Sequence, residues 1–171
     1  MHAKLNLVPD PTPLVMARRI SDHLGIDLMI KRDDLAGPSL GGNKARQLEY
    51  YFGAALAENA DTVLITGAVQ SNFTRLAASI ARAQDMHPIV QLESRVPETS
   101  DEYLASGNVV LSRLLGAEIL TYPDGEDEAG ADAALHDKAE ELRAQGGRPY
   151  IIHLSDCLLY TSDAADEHRD V

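Results

Sequence analysis

The pattern that most constrains this chain is a regular alternation of short apolar runs with longer stretches of helical periodicity. Residues 62–65, 88–92, 118–121 and 149–153 are apolar runs of strand length, each bounded by polar or turn-forming residues. Between them, residues 72–84 place Leu76, Ile80 and Ala83 on one helical face, Ser106 can cap a helix over 109–115, and 129–145 reads as a longer helix. Strands alternating with helices of about 10–15 residues imply βαβ units. The expected class is therefore α/β, an open parallel sheet with helices on both faces. Upstream, 27–31 reads as a short strand and 34–42 as a loop rich in Gly, Pro and Ser. Asn43 can cap a helix reaching about residue 59, in which Leu48, Tyr51, Phe52 and Leu56 recur at helical spacing.

Charge and composition exclude several classes of function. A length of 171 residues suits one domain or a little more. The net charge of −12 argues against nucleic-acid and anionic-membrane partners, which need a basic footprint. No apolar run approaches the roughly 20 residues of a membrane span. Asn6, Pro9 and Asp10 interrupt the start, where a signal peptide would be apolar. A single cysteine, Cys157, gives no internal disulfide and fits a reducing cytoplasm. His2, His23, His87, His136 and His153 are scattered without metal-ligand spacing, so no metal is expected.

Two short motifs carry chemistry. Gly41-Gly42-Asn43-Lys44 puts a lysine at the mouth of a helix, behind residues that let the backbone turn sharply. Lysine is the side chain that forms a Schiff base with an aldehyde cofactor. Gln70-Ser71-Asn72 stands where a strand ends and a helix begins, and free backbone N–H groups at such a point bind anions. Taken alone, Lys44 is also an ordinary solvated lysine and Ser71 an ordinary cap. Arg32-Asp33-Asp34 reads as an ion pair steadying the loop. Residues 37–42 lack the lysine spacing of a phosphate-binding P-loop, and no G-x-G-x-x-G follows a strand, which ranks a nucleotide-binding module last.

The runs Ile30-Lys31-Arg32-Asp33-Asp34-Leu35, GGNKARQLEYY from Gly41 and TGAVQSNFTR from Thr66 resemble the D-cysteine desulfhydrase and 1-aminocyclopropane-1-carboxylate deaminase family. These are pyridoxal-phosphate enzymes of the tryptophan-synthase-β-like fold. Pro11-Thr12-Pro13-Leu14, Ser106-Gly107-Asn108 and Leu114-Leu115-Gly116-Ala117 extend the resemblance in unbroken order. It implies that Lys44 is the Schiff-base lysine and the base at the substrate's α-carbon. Asn72 would sit beside the cofactor's ring hydroxyl, Ser71 and the local amides would hold the substrate carboxylate, and Gln70 would be a further substrate contact. It also implies a homodimer, and a division into residues 1–46, the arm of a large cofactor domain, and 47–156, a small α/β domain. The implied activity is α,β-elimination from a small amino acid such as D-cysteine, giving pyruvate, ammonia and sulfide. Ring-opening deamination of 1-aminocyclopropane-1-carboxylate is the alternative. Two positions depart from the family pattern: Phe73 stands where many relatives carry His or Gln, and Gln47 where a basic residue is common.

The stretch Cys157-Leu158-Leu159-Tyr160-Thr161-Ser162-Asp163-Ala164-Ala165-Asp166-Glu167 reads as an in-frame translation of a transposase-type sequencing adapter. Residues 157–171 are accordingly expected to be a non-native tail on the front part of a protein about twice as long. The family's phosphate loop and pyridine-nitrogen partner would then lie beyond this chain, and a catalytically silent fragment is the competing expectation.

Overall fold

Four parallel strands form the centre of the computed structural model, which describes residues 3–8, 10–97 and 99–153. The expected tail lies outside the described residues. In chain order the elements are β1 (Leu14–Met16), α1 (Arg18–Leu24), β2 (Met29–Lys31), a 3-10 turn (Asp33–Leu35), α2 (Ala45–Ala57), β3 (Thr62–Ala68), α3 (Asn72–Ala83) and β4 (His87–Glu93). There follow α4 (Asp101–Ala105), α5 (Gly107–Leu114), β5 (Glu118–Tyr122), α6 (Glu128–Ala144) and β6 (Pro149–Ile152). The sheet order is β5-β4-β3-β6, every pair parallel, with Thr62 level with both His87 and Pro149. β1 and β2 pair antiparallel in a separate two-stranded ribbon.

Strand alternation distributes the apolar side chains to two cores. Val63, Ile65 and Val90 pack with Leu48, Tyr51 and Phe52 of α2, Leu76 and Ile80 of α3, and Val109 of α5. Leu64 and Ile89 point the other way, onto Leu135 and Ala139 of α6. A sheet clothed on both faces needs continuous apolar strands, and β3 meets that need with six successive buried residues. The expected fold class is therefore present, with α2, α3 and α5 on one face and α6 on the other.

Several local expectations change. The α2 cap position falls on Lys44, one residue past Asn43, and no side chain caps it. Ser106 occupies the α5 cap position but makes no capping bond. β1, α1 and α4 were not anticipated. They are three to seven residues long, too short for a clear period. Ala45 and Leu48, on either side of the expected division at 46/47, both belong to α2 and to one core cluster, which leaves that division open.

The N-terminal segment is tied to α2 by one carboxylate. Glu49 is 2% exposed, and its Oε1 accepts from the amides of Leu7 (2.9 Å) and Val8 (3.0 Å). Its Oε2 lies 2.9 Å from Lys4 Nζ. Gly53 makes room for this crossing, because a Cβ there would stand 2.5 Å from the Ala3 carbonyl group. Burial alone would raise the Glu49 pKa, but the Lys4 ammonium and the Val8 and Leu7 amides together hold it below the ordinary value of 4.5.

A carboxylate with a depressed native pKa stabilises the fold above its unfolded pKa, and that contribution is lost as pH falls through the native one. Glu49→Gln should therefore cost about 1–3 kcal/mol at pH 7, measured by urea unfolding, and the gap to wild type should close as the pH falls below 4.5. A gap independent of pH would contradict the assignment. The β1–β2 ribbon and α1 leave Leu14, Ile20, Leu24 and Ile26 about half exposed, and a two-stranded ribbon is marginal by itself. Sedimentation velocity should show concentration-dependent self-association through this face; a monomer at all concentrations would count against it.

Candidate active site

The segment leading to Lys44 is backbone held in an uncommon conformation. Ser39 (φ 49°), Leu40 (φ 69°), Gly41 (φ 63°) and Gly42 (φ 131°) are four successive residues with positive φ. Ser39 and Leu40 have no glycine's freedom, so the surrounding contacts must impose this path. At Gly41 a Cβ would lie 2.3 Å from the Asp34 carbonyl oxygen, which only glycine avoids. The Gly42 amide donates to the Asp33 carbonyl (3.1 Å) and the Gly41 amide to the Pro38 carbonyl (3.0 Å).

The base of the loop is braced by charge. Arg32 grips Asp34 through Nε (2.8 Å) and Nη2 (2.6 Å). Asp33 Oδ1 accepts from Arg46 Nη1 (3.0 Å) and Thr12 Oγ1 (3.1 Å). This is the loop-steadying role read from the sequence for Arg32-Asp33-Asp34. Lys44 emerges half-buried at the start of α2.

The second half of the site is the tip of α3. β3 ends at Ala68, and the chain turns back with the Ser71 amide donating to the Ala68 carbonyl (2.9 Å). Ser71 caps α3, its Oγ accepting from the Thr74 amide (3.3 Å). Gly67 lets this tip sit down on the strand, since a Cβ there would meet Thr74 Cγ2 at 3.0 Å. The Asn72 and Phe73 amides, in the first turn, have no acceptor among the described residues. This is the ready-made anion site of a helix N-terminus, at the carboxyl edge of a parallel sheet.

Gln70 points elsewhere. Its Nε2 donates to the carbonyls of Tyr103 (2.6 Å) and Ser106 (3.1 Å), and its Oε1 accepts from the Asn108 amide (2.9 Å). Both of its N–H donors are thus engaged in closing the α4–α5 turn onto β3, leaving none for a carboxylate. Gly107 at φ 55° is needed there, because a Cβ would stand 2.5 Å from Gln70 Oε1.

Two residues that the sequence did not single out complete the site. Asn108 Nδ2 donates to the Gln70 carbonyl (2.8 Å) and to Asn72 Oδ1 (3.0 Å). Arg75 reaches Asn108 Oδ1 through Nε (3.3 Å), Asn72 Oδ1 through Nη2 (3.4 Å) and the Ser39 carbonyl through Nη1. Ser39 Oγ also meets Ser79 Oγ at 2.5 Å. The Lys44 loop and the α3 tip are thereby joined. Both Arg75 and Asn108 lie inside matched runs, but nothing in their spacing marks them as meeting Asn72.

The opposite face of the sheet holds a separate buried polar group. Glu93 accepts from Thr66 Oγ1 (2.5 Å) and Arg95 Nε (2.8 Å), and Gln91 Nε2 bonds the Ala131 carbonyl (2.9 Å) under α6. The Ala131 bond fastens α6 to the sheet, and Arg95 Nη2 is ion-paired with Glu93 Oε2 (2.7 Å) but buried with no hydrogen-bond partner among the described residues. Among the described residues there is no His, Cys, Asp and Glu grouping fit for a metal, and no helix long and apolar enough to cross a membrane.

Comparison with known proteins matches residues 5–164 to the family model described as pyridoxal-phosphate dependent enzyme, a stretch that runs past Asp156. D-cysteine desulfhydrases of Salmonella paratyphi B and Salmonella newport are each 40% identical over 154 residues, covering 87% of this chain and 44% of those proteins. A solved structure described as an ACC deaminase homologue superposes with a TM-score of 0.76 at 35% identity, over 89% of this chain and 44% of that one. The chain thus spans less than half the length of the relatives it matches. With a family match over most of its length, and a lysine loop and a helix tip drawn together at one sheet edge, the chain belongs to the pyridoxal-phosphate-dependent enzyme family.

Proposed function

We propose that this protein, at the length of its relatives, is a pyridoxal-phosphate-dependent lyase of the D-cysteine desulfhydrase type, acting on a small amino acid. The observation that carries the reading is the pairing of the Lys44 loop with an α3 tip whose open donors are two backbone amides and the Asn72 amide nitrogen. The donor set fits the cofactor. Lys44 offers a primary amine, Asn72 Nδ2 is placed to donate to a ring hydroxyl oxygen, and Gly67 removes the Cβ that would crowd the tip. When bound, pyridoxal phosphate supplies an electron sink that acidifies the substrate's α-carbon.

The chain's own residues do the rest. Lys44 holds the cofactor through its amine, and its Nζ takes the α-proton as general base. Ser71 Oγ, which already accepts from Thr74, keeps its own proton to donate to the substrate carboxylate. The Asn72 and Phe73 amides hold the same carboxylate and fix which face of the α-carbon meets Lys44. With water, D-cysteine is converted to pyruvate, ammonia and sulfide. Gln70 serves the site by closing the α4–α5 turn.

The 35% identical ACC deaminase homologue supports a second reading, ring opening of 1-aminocyclopropane-1-carboxylate. That substrate has no α-proton, so Lys44 would act on a different hydrogen. A cytoplasmic homodimer is the matching assembly, and residues 1–46 are proposed to belong with a larger cofactor domain.

Treating the chain with pyridoxal phosphate and then borohydride should fix the label on Lys44, read by peptide mass mapping, with little label left in Lys44→Met. Labelling spread over surface lysines with Lys44 unmodified would contradict the assignment. In a version extended to the relatives' length, sulfide release from D-cysteine should exceed 2-oxobutyrate release from 1-aminocyclopropane-1-carboxylate, and Lys44→Met should lower turnover at least a thousandfold. The reverse preference would establish the deaminase reading.

A further inference from the structure

Arg75 is 3% exposed, and the acceptors it meets are neutral: the Ser39 carbonyl, Asn108 Oδ1 and Asn72 Oδ1. Among the described residues no carboxylate pairs with it. A guanidinium removed from water without a counter-charge is costly, and proteins place such groups where their charge or geometry is used. Burial pushes its pKa below the ordinary arginine value.

Its three bonds reach both halves of the site. Nη1 holds the carbonyl of Ser39, the first of the four positive-φ residues that lead to Lys44. Nη2 and Asn108 Nδ2 (3.0 Å) converge on Asn72 Oδ1. An amide oxygen that accepts two N–H donors cannot exchange places with its nitrogen, which would then face both donors. The Asn72 nitrogen is therefore turned outward. Nε fixes Asn108 in turn through its Oδ1 (3.3 Å).

We propose that Arg75 is a positioning residue that ties the Lys44 loop to the α3 tip and, together with Asn108, locks the Asn72 amide nitrogen-outward toward an oxygen of the ligand. Only the identity of that ligand, pyridoxal phosphate, rests on the function proposed above. The planar fork of Arg75 meets three acceptors on three segments at once, which the single ammonium of lysine cannot do.

The test uses the whole chain and two variants. Without cofactor, Arg75→Lys should speed hydrogen exchange at the Gly41 and Gly42 amides by tenfold or more, while unfolding stays cooperative. Asn108→Asp gives Arg75 a counter-charge that offsets the lost bond to the Gln70 carbonyl, so its thermal midpoint should stay close to that of wild type. The same variant puts an acceptor where Asn72 met a donor, so the Asn72 side-chain amide resonances should move as that amide turns over. Titration with pyridoxal phosphate should then show affinity about tenfold weaker in Asn108→Asp despite its retained stability. A purely structural role predicts that affinity follows stability. Unchanged exchange in Arg75→Lys, or unmoved Asn72 amide resonances in Asn108→Asp, would overturn the proposal. Absence of any cofactor binding by a wild type extended to the relatives' length would defeat the functional reading, while exchange and resonances still decide the coupling.

Discussion

Parallel strands joined by helices must all end at the same edge of their sheet, and here that constraint places everything else. β3 has neighbours on both sides, as β4 does, and is buried on both faces through Gly67. Residues 62–65 are held by the β4 and β6 ladders and by two cores, and residues 66–68 continue on the β4 ladder. The turn into α3 inherits that rigidity, so Ser71 and Asn72 are presented from a fixed base. A loop bearing Lys44 gains its position by being bonded to this same helix, through Arg75 and through Ser79.

The two polar groupings at this edge show how sidedness separates structure from chemistry. On the α6 face, Thr66, Gln91, Glu93 and the Arg95 Nε bond to one another and to α6, and Arg95 Nη2 is left to its ion pair with Glu93. On the α3 face, the network stops short of closure. Asn72 Nδ2 and two backbone amides face outward with no acceptor among the described residues. Asn72 is exposed, so these donors can be met by water or by the oxygens of an anionic ligand.

Much of this was legible in the sequence. β3, β4, β5 and β6 are apolar runs with turn residues at their ends, and the period-2 split between Val63, Ile65 and Leu64 is a direct reading of side-chain alternation. Ser71 as a helix cap followed from its place after such a run, and its bond to Thr74 is present. What escaped depends on contacts far apart in the chain. Arg75 meets Ser39 across 36 residues, and Asn108 meets Asn72 across the same separation. No local period encodes either. Gln70 misled for a related reason: beside Ser71 in the chain, it is turned by the β3–α3 bend toward Tyr103 and Ser106. Nothing local marks Glu49 as buried either, since the residues 3–8 that cover it lie more than 40 positions away.

The central claim is that the Gly41–Lys44 loop and the α3 tip form one ligand site on one face of the sheet. It is tested most directly by adding pyridoxal phosphate to isotope-labelled chain and mapping which backbone amide resonances move. The account predicts shifts concentrated at Gly41, Gly42, Lys44, Ser71, Asn72 and Phe73, with Gln91 and Glu93 on the α6 face unmoved. Shifts confined to the α6 face or the β1–β2 ribbon, with both site segments silent, would contradict it.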